Sequence, residues 1–150
     1  MKRLQLRSKD VTDQLLHYNI KIDKKDRAEL LDDKIILING SPSFFYYEKH
    51  LIPTLKYIHK QNILKTVTVD MGAIKFVING ADIMRPGIKE INNNIKKDEF
   101  IAIIDETNKK PLAIGIALYD APQINFMNSG KVIKNIHYLG DELWKLIMHK

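Results

Sequence analysis

The chain has 150 residues, 45% of them hydrophobic and 28% charged, with a formal net charge of +6 and no cysteine. Such a length holds one domain or two small ones, and without cysteine there can be no disulfide, thiol nucleophile or cysteine metal site, which suits a reducing cytoplasm. No apolar run approaches the roughly 20 residues that span a bilayer, and Met1–Arg7 lacks the apolar segment of a secretory leader, so neither a membrane nor secretion is expected. In chain order, Leu4 and Leu6 alternate with polar residues as in an edge strand. Ser8 can cap a helix over Lys9–Tyr18 with Val11, Leu15 and Leu16 inward. Asp23 can cap a second helix over Lys24–Leu31, with its charges on a solvated face. Ile35–Ile38 is a β-branched run, and Asn39-Gly40 after it predicts a hairpin. Ser41-Pro42 argues for a loop longer than two residues. Phe44–Tyr47 is four aromatics in a row, a base-stacking platform or, on the stronger reading, a strand whose rings pack on alternate faces. Leu51–His59 reads as a helix with Leu51, Leu55 and Ile58 on one stripe and Pro53 in its first turn. No Gly/Ser/Pro linker precedes Lys65, so two packed domains are expected, 1–64 and 65–150.

The stretch Val69–Ile88, VDMGAIKFVINGADIMRPGI, is the most structured part of the sequence. Val67, Val69 and Met71 alternate with Thr66, Thr68 and Asp70, the period of a half-buried strand. After Gly72, Ala73–Asn79 reads as two helical turns, apolar on nearly every side and therefore expected to be buried, with Lys75 and Asn79 as its wet strip. Gly80 suits the left-handed position after a helix, and Pro86-Gly87 suits a type II turn with positive φ at the glycine. Ile88 and Ile91 lead to the turn Asn92–Asn94. Phe100–Ile104 reads as a strand buried on both faces. In Leu112–Leu118, large residues alternate with Ala113, Gly115 and Ala117, a small face that admits a neighbour closely. Asn128–Gly130 is a turn, Lys131–Tyr138 a final strand, and Gly140-Asp141-Glu142 opens a terminal helix that buries Leu143 and Trp144.

Asp70-Met71-Gly72-Ala73-Ile74-Lys75-Phe76, Asn79-Gly80-Ala81 and Met84-Arg85-Pro86-Gly87 resemble the signature of the PUA domain, a small pseudo-barrel RNA-binding fold, across about Lys65–Trp144. The chain looks most like stand-alone archaeal PUA proteins, the malignant-T-cell-amplified-sequence translation factors and the tail of archaeal tRNA-guanine transglycosylase, which carry a small domain before the PUA domain. The fold this implies is α+β: a small α/β N-terminal domain of the pre-PUA type, followed by a PUA-like mixed β pseudo-barrel with short helices. The resemblance also implies RNA binding along the short helix and the strand after it. Carried over by position, that site is Lys75, Asn79, Gly80, Ala81, Met84, Arg85, Pro86 and Gly87.

The residues themselves point to no catalytic set. The five histidines, at 17, 50, 59, 137 and 149, are dispersed and lack metal-ligand spacing, and there is no glycine-rich phosphate loop. Every serine falls at an expected cap or turn, and Asp105-Glu106 sit at a strand end. Neither a cofactor nor a metal is expected. The +6 charge favours an acidic partner. Residues 1–64 carry 12 Lys/Arg against 8 Asp/Glu, a net of +4, and residues 65–150 carry 12 against 10, a net of +2. The expected function is therefore non-catalytic recognition of structured RNA, a tRNA acceptor region or rRNA, in the cytoplasm. Two roles stay open beside it. One is the RNA-targeting subunit of a separate tRNA- or rRNA-modifying enzyme such as a transglycosylase, and the other a translation initiation or recycling factor on the small ribosomal subunit.

Overall fold

The computed structural model describes residues 2–149. The chain divides into two compact units, one reaching to Ile63 and one running from Leu64 to Met148. The architecture is the expected mixed α+β arrangement.

The first unit is built on a five-stranded antiparallel sheet whose spatial order equals its chain order: β1 (Arg3–Leu6), β2 (Ala28–Leu31), β3 (Ile35–Ile38), β4 (Ser41–Tyr47) and β5 (His50–Pro53). Helices α1 (Ser8–Gln14) and α2 (Leu55–Lys60) accompany it. Val11, Leu15, Ile22, Ala28, Ile36, Phe44 and Leu51 form its core. Several elements differ from expectation. Ser8 lies inside α1 and Arg7 precedes it as the cap. The helix stops at Gln14, and a 3₁₀ turn over Leu16–Tyr18 leaves Leu16 62% exposed rather than inward. The expected helix over Lys24–Leu31 does not form. Ala28–Leu31 is β2, bonded between β1 and β3, and ladder pairing on both sides overrides the helical preference of Ala-Glu-Leu-Leu. Asp32 and Asp33, both at positive φ, turn the chain into β3. The next hairpin is tighter than Ser41-Pro42 suggested. Asn39 (φ 52) and Gly40 (φ 83) form a two-residue loop with Ile38 opposite Ser41. A register shift between Ile36 and Leu37 then accommodates Pro42, which has no N–H for the ladder. The helix expected from Leu51 begins only at Leu55. Pro53 instead ends β5, an edge strand, and Thr54 caps α2 by accepting from the Tyr57 N–H at 3.1 Å. Phe44 and Phe45 are buried and Tyr46 and Tyr47 half-buried, so the aromatic run is packing.

The second unit is a six-stranded sheet of order β7-β11-β10-β9-β6-β8. Its strands are β6 (Thr66–Val69), β7 (Ile83–Met84), β8 (Ile88–Ile91), β9 (Phe100–Asp105), β10 (Pro111–Ala117) and β11 (Lys131–Tyr138). Only the β6–β9 pair is parallel. The outermost strands, β7 and β8, are joined by just the 3₁₀ turn Arg85–Gly87. Two sheet edges can be three residues apart only if the sheet curls round on itself, which makes a pseudo-barrel. Val67, Val69, Ile101, Ile103, Ala113, Ile124, Val132 and Ile133 fill it. At Gly115 the neighbouring β11 leaves no room for a side chain. A Cβ there would lie 2.5 Å from Ile133 Cγ2 and 2.9 Å from the Lys134 carbonyl oxygen, and the β10–β11 register shifts beside it. Three short helices complete the unit: α3 (Ile74–Val77), α4 (Ala121–Phe126) and α5 (Glu142–Met148). Helix α4 has no counterpart in the sequence reading, although Asp120 followed by Ala121-Pro122 is a helix-start pattern. In α5 the buried residues are Leu143 and Ile147, with Trp144 half-buried. Among the described residues no helix is long and apolar enough to cross a membrane.

Asp141 ties α5 to the end of β11. Its Oδ1 accepts from the Trp144 N–H at 2.7 Å, and its Oδ2 accepts from the Tyr138 N–H at 2.9 Å and lies 2.9 Å from Nδ1 of the fully buried His137. Burial pushes the carboxyl up, but His137 and the two amides outweigh it, so Asp141 titrates below the usual carboxylate range. A folded-state pKa below the unfolded one adds stability at neutral pH that is lost as pH falls through the folded value. Asp141→Asn should therefore cost about 1–2 kcal/mol at pH 7, and the gap to wild type should close as pH drops below about 4. Urea denaturation at pH 7 and pH 3 checks both halves, and a gap that does not depend on pH would show that the charge contributes nothing.

Candidate nucleic-acid interface

The element that carries the expected site starts where β6 ends. Asp70 leaves the strand with φ −71 and ψ 162, and its Oδ1 accepts from the Ala73 N–H at 2.9 Å. This N-cap converts the strand into a 3₁₀ turn, Met71–Ala73, that runs on into α3. The helix is shorter than the sequence implied, one turn from Ile74 to Val77. The Gly80 N–H then donates to the Val77 carbonyl and the Ala81 N–H to the Phe76 carbonyl, both at 3.0 Å. Gly80 takes φ +90, the left-handed stop that its position predicted. The next turn differs from expectation: Gly87 is not at positive φ, and Arg85–Gly87 is a 3₁₀ turn instead of a type II turn. Its Gly87 carbonyl accepts from the Asp70 N–H at 3.0 Å, tying the two ends of the segment together.

Strand β11 holds this segment against the barrel. Asn135 Nδ2 donates to the carbonyl oxygens of Val77 at 3.0 Å and Ala81 at 3.1 Å, and the Asn135 N–H donates to Asp82 Oδ1 at 2.9 Å. The other Asp82 oxygen pairs with Lys131 Nζ at 3.3 Å. The Tyr138 ring lies behind Gly80, where an added Cβ would sit 3.0 Å from three of its atoms.

The helix is not buried almost all round. Only Val77 is buried, whereas Phe76 is 57% exposed, Ile78 38%, and the flanking Met71 and Met84 46% and 50%. A single turn lying on a barrel has one inner face: Val77 and the half-buried Ile74 pack on the core, and Phe76 and Ile78 stand in solvent. Between α3 and the β7–3₁₀ segment lies an open groove of about 410 Å³. Ala81, Met84, Pro86 and Gly87, four of the eight expected residues, line it together with Phe76, Gly72 and the carboxyl-bearing Asp70 and Asp82. Lys75 and Asn79 lie on the exposed side of α3 instead. Lys75 Nζ sits 5.2 Å from the centre of the Phe76 ring, and Asn79 Nδ2 donates to the Lys75 carbonyl at 2.7 Å. Gly80 sets the backbone from behind. Arg85 is occupied elsewhere: its Nε donates to the Ile124 carbonyl at 2.7 Å and its N–H to the Gly130 carbonyl at 2.8 Å, which fixes the end of α4. The sequence reading missed Phe76, since it placed that ring inward. Nothing in the spacing of the sequence distinguishes the exposed Phe76 from the buried Val77 beside it.

Residues 65–139 match the PUA domain. The chain belongs to the PUA-domain family. Residues 5–61 match a second family, a domain of unknown function (DUF1947). The PUA-domain chain is 44% identical over 127 residues to an uncharacterized protein of Methanocaldococcus jannaschii, covering 82% of this chain and 78% of that one. It is 39% identical over 146 residues to translation machinery-associated protein 20 of Saccharomyces cerevisiae, covering 90% and 77%. The crystal structure of a hypothetical protein from Pyrococcus horikoshii superposes with a TM-score of 0.85 at 30% identity, over 97% of this chain and 99% of that one.

Gly80 is the structural test of the PUA segment. Gly80→Val would force a β-branched side chain into a left-handed backbone and against the Tyr138 ring, at a cost of about 2 kcal/mol or more. Thermal melts should show the loss, and an unchanged melting temperature would mean that the turn relaxes freely.

Proposed function

We propose that the PUA unit binds structured RNA, a tRNA acceptor region or rRNA, in the service of translation in the cytoplasm and without catalysis of its own. The observation that carries this reading is the groove beside α3. Its walls are mostly apolar, its exposed aromatic is Phe76, and the lysine of α3 sits over that ring. An apolar groove with an exposed ring suits an unpaired base, which every nucleotide can offer as a flat face. Asp70 and Asp82 make the groove interior a poor place for a phosphate, but a carboxylate can accept from an exocyclic base amine. Lys75 at the outer rim meets the backbone. The name of the yeast relative supports the link to translation.

In this arrangement Lys75 contributes charge and Phe76 contributes stacking, and the two are separable. Lys75→Ala should weaken binding of a tRNA transcript by roughly 1 kcal/mol and lower the salt slope by about one counterion. Phe76→Ala should cost about 1–3 kcal/mol with the salt slope unchanged. Titrations at two salt concentrations, with melts as the folding control, decide it. Unchanged affinity in both variants would remove this helix from the site.

A further inference from the structure

The first unit has a concavity of its own, about 220 Å³, between the start of β4 and α2. Ser41 and Ser43 line one side, and Lys56, Tyr57, Lys60 and Gln61 the other. Lys56 and Lys60 are four residues apart on α2, so they share a face and repel each other. Every ion pair of the first unit uses other cations, Lys2, Arg3, Arg7 and Arg27, and among the described residues neither Lys56 nor Lys60 has one. Nor is an acid available nearby in sequence: no Asp or Glu occurs between Glu48 and Asp70. Among the described residues the lining side chains carry two amines, hydroxyls and an amide, and no carboxylate.

The walls are held firmly. Thr54 caps α2 and at the same time donates from Oγ1 to the Pro42 carbonyl at 3.1 Å, and its N–H donates to the Ser43 carbonyl at 3.0 Å. The Tyr57 ring rests on the buried Phe44, centroids 4.9 Å apart. Burial pushes the Tyr57 hydroxyl pKa up, so it remains a donor at neutral pH. A fixed hollow with two uncompensated cations and neutral donors is a receptor for a compact, multiply charged oxyanion.

We propose that this pocket of the N-terminal unit binds a phosphate group, held by the Lys56 and Lys60 ammonium groups and the Tyr57 hydroxyl. It belongs to the first unit alone and does not depend on what the PUA groove binds. The phosphate can belong to a polynucleotide backbone or to a free phosphorylated small molecule, and the two sources are separable by experiment.

The test is amide NMR of the full chain titrated with inorganic phosphate and, separately, with a tRNA transcript, in wild type, Lys56→Gln/Lys60→Gln and Lys56→Arg/Lys60→Arg. Expected are saturable phosphate shifts around Ser41, Ser43, Tyr57 and Gln61, weakened about tenfold or more in the glutamine pair and kept in the arginine pair. If the same amides move with the transcript, and the glutamine pair lowers its salt slope by about two, the source is the RNA backbone. If they move with phosphate alone, the source is a free phosphate compound. Absence of saturable shifts with either probe overturns the proposal, as do shifts that the glutamine pair leaves unaltered. Transcript shifts confined to Leu64–Met148, without any phosphate response, would sink this pocket and leave the PUA reading standing. A saturable phosphate response with no transcript response in that unit would do the reverse.

Discussion

One side-chain amide holds the candidate interface in place. Asn135, on β11, donates both protons of its Nδ2 to carbonyl oxygens on either side of the Gly80 turn. A one-turn helix has almost no stability of its own, because its hydrogen bonds barely offset the cost of nucleation. Carbonyls at its C-terminal end must find donors elsewhere. Asn135 supplies them from a strand that is itself bonded to β10 and β7. The helix is therefore an attachment to the barrel and not an independent element. The same strand positions Tyr138 behind Gly80 and Lys131 against Asp82. The groove's shape is thus fixed by residues that do not line it.

Strand β6 and the Gly80 turn were legible in sequence because their signals are local: a period-two run and a glycine after a helical turn act over four residues or fewer. Pro86-Gly87 marked a turn but not its type, and Asp70 was read as the end of the strand and not as the cap it is. Most misreadings have non-local causes. Ala28–Leu31 becomes a strand because β1, more than twenty residues earlier, and β3 both pair with it. Pro53 ends a strand because β5 lies at an edge, where a missing donor costs nothing. Phe76 was misassigned for a third reason. Hydrophobic periodicity reports which faces are apolar, not whether the partner surface is wide enough to cover them. Phe76 lines the groove while Lys75 and Asn79 face away from it; all three are exposed, and only the structure separates them from Val77.

Charge is distributed differently from what the total of +6 suggests. The groove has two carboxylates among its lining residues, and Arg85, the arginine expected to face a ligand, is engaged with backbone carbonyls. Cations near the groove are at its rim or paired. Net charge sets the long-range attraction between such a protein and a polyanion, whereas the local surface determines which part of the polyanion comes to rest where. In the proposed RNA complex, attraction and placement would thus fall to different residues.

The two units must also acquire their structure on different schedules during synthesis. In the first unit each strand pairs with its neighbour in sequence, so the sheet can assemble as the chain lengthens. The second cannot do this. Strand β7 finds its partner in β11, nearly fifty residues later, and β6 pairs in parallel with β9 across an intervening excursion. Loop-closure entropy makes such pairings late ones. Until Lys131–Tyr138 is in place, α3 lacks its Asn135 donors and β7 lacks a ladder. The surface nearest the middle of the sequence is therefore among the last parts of the molecule to become ordered.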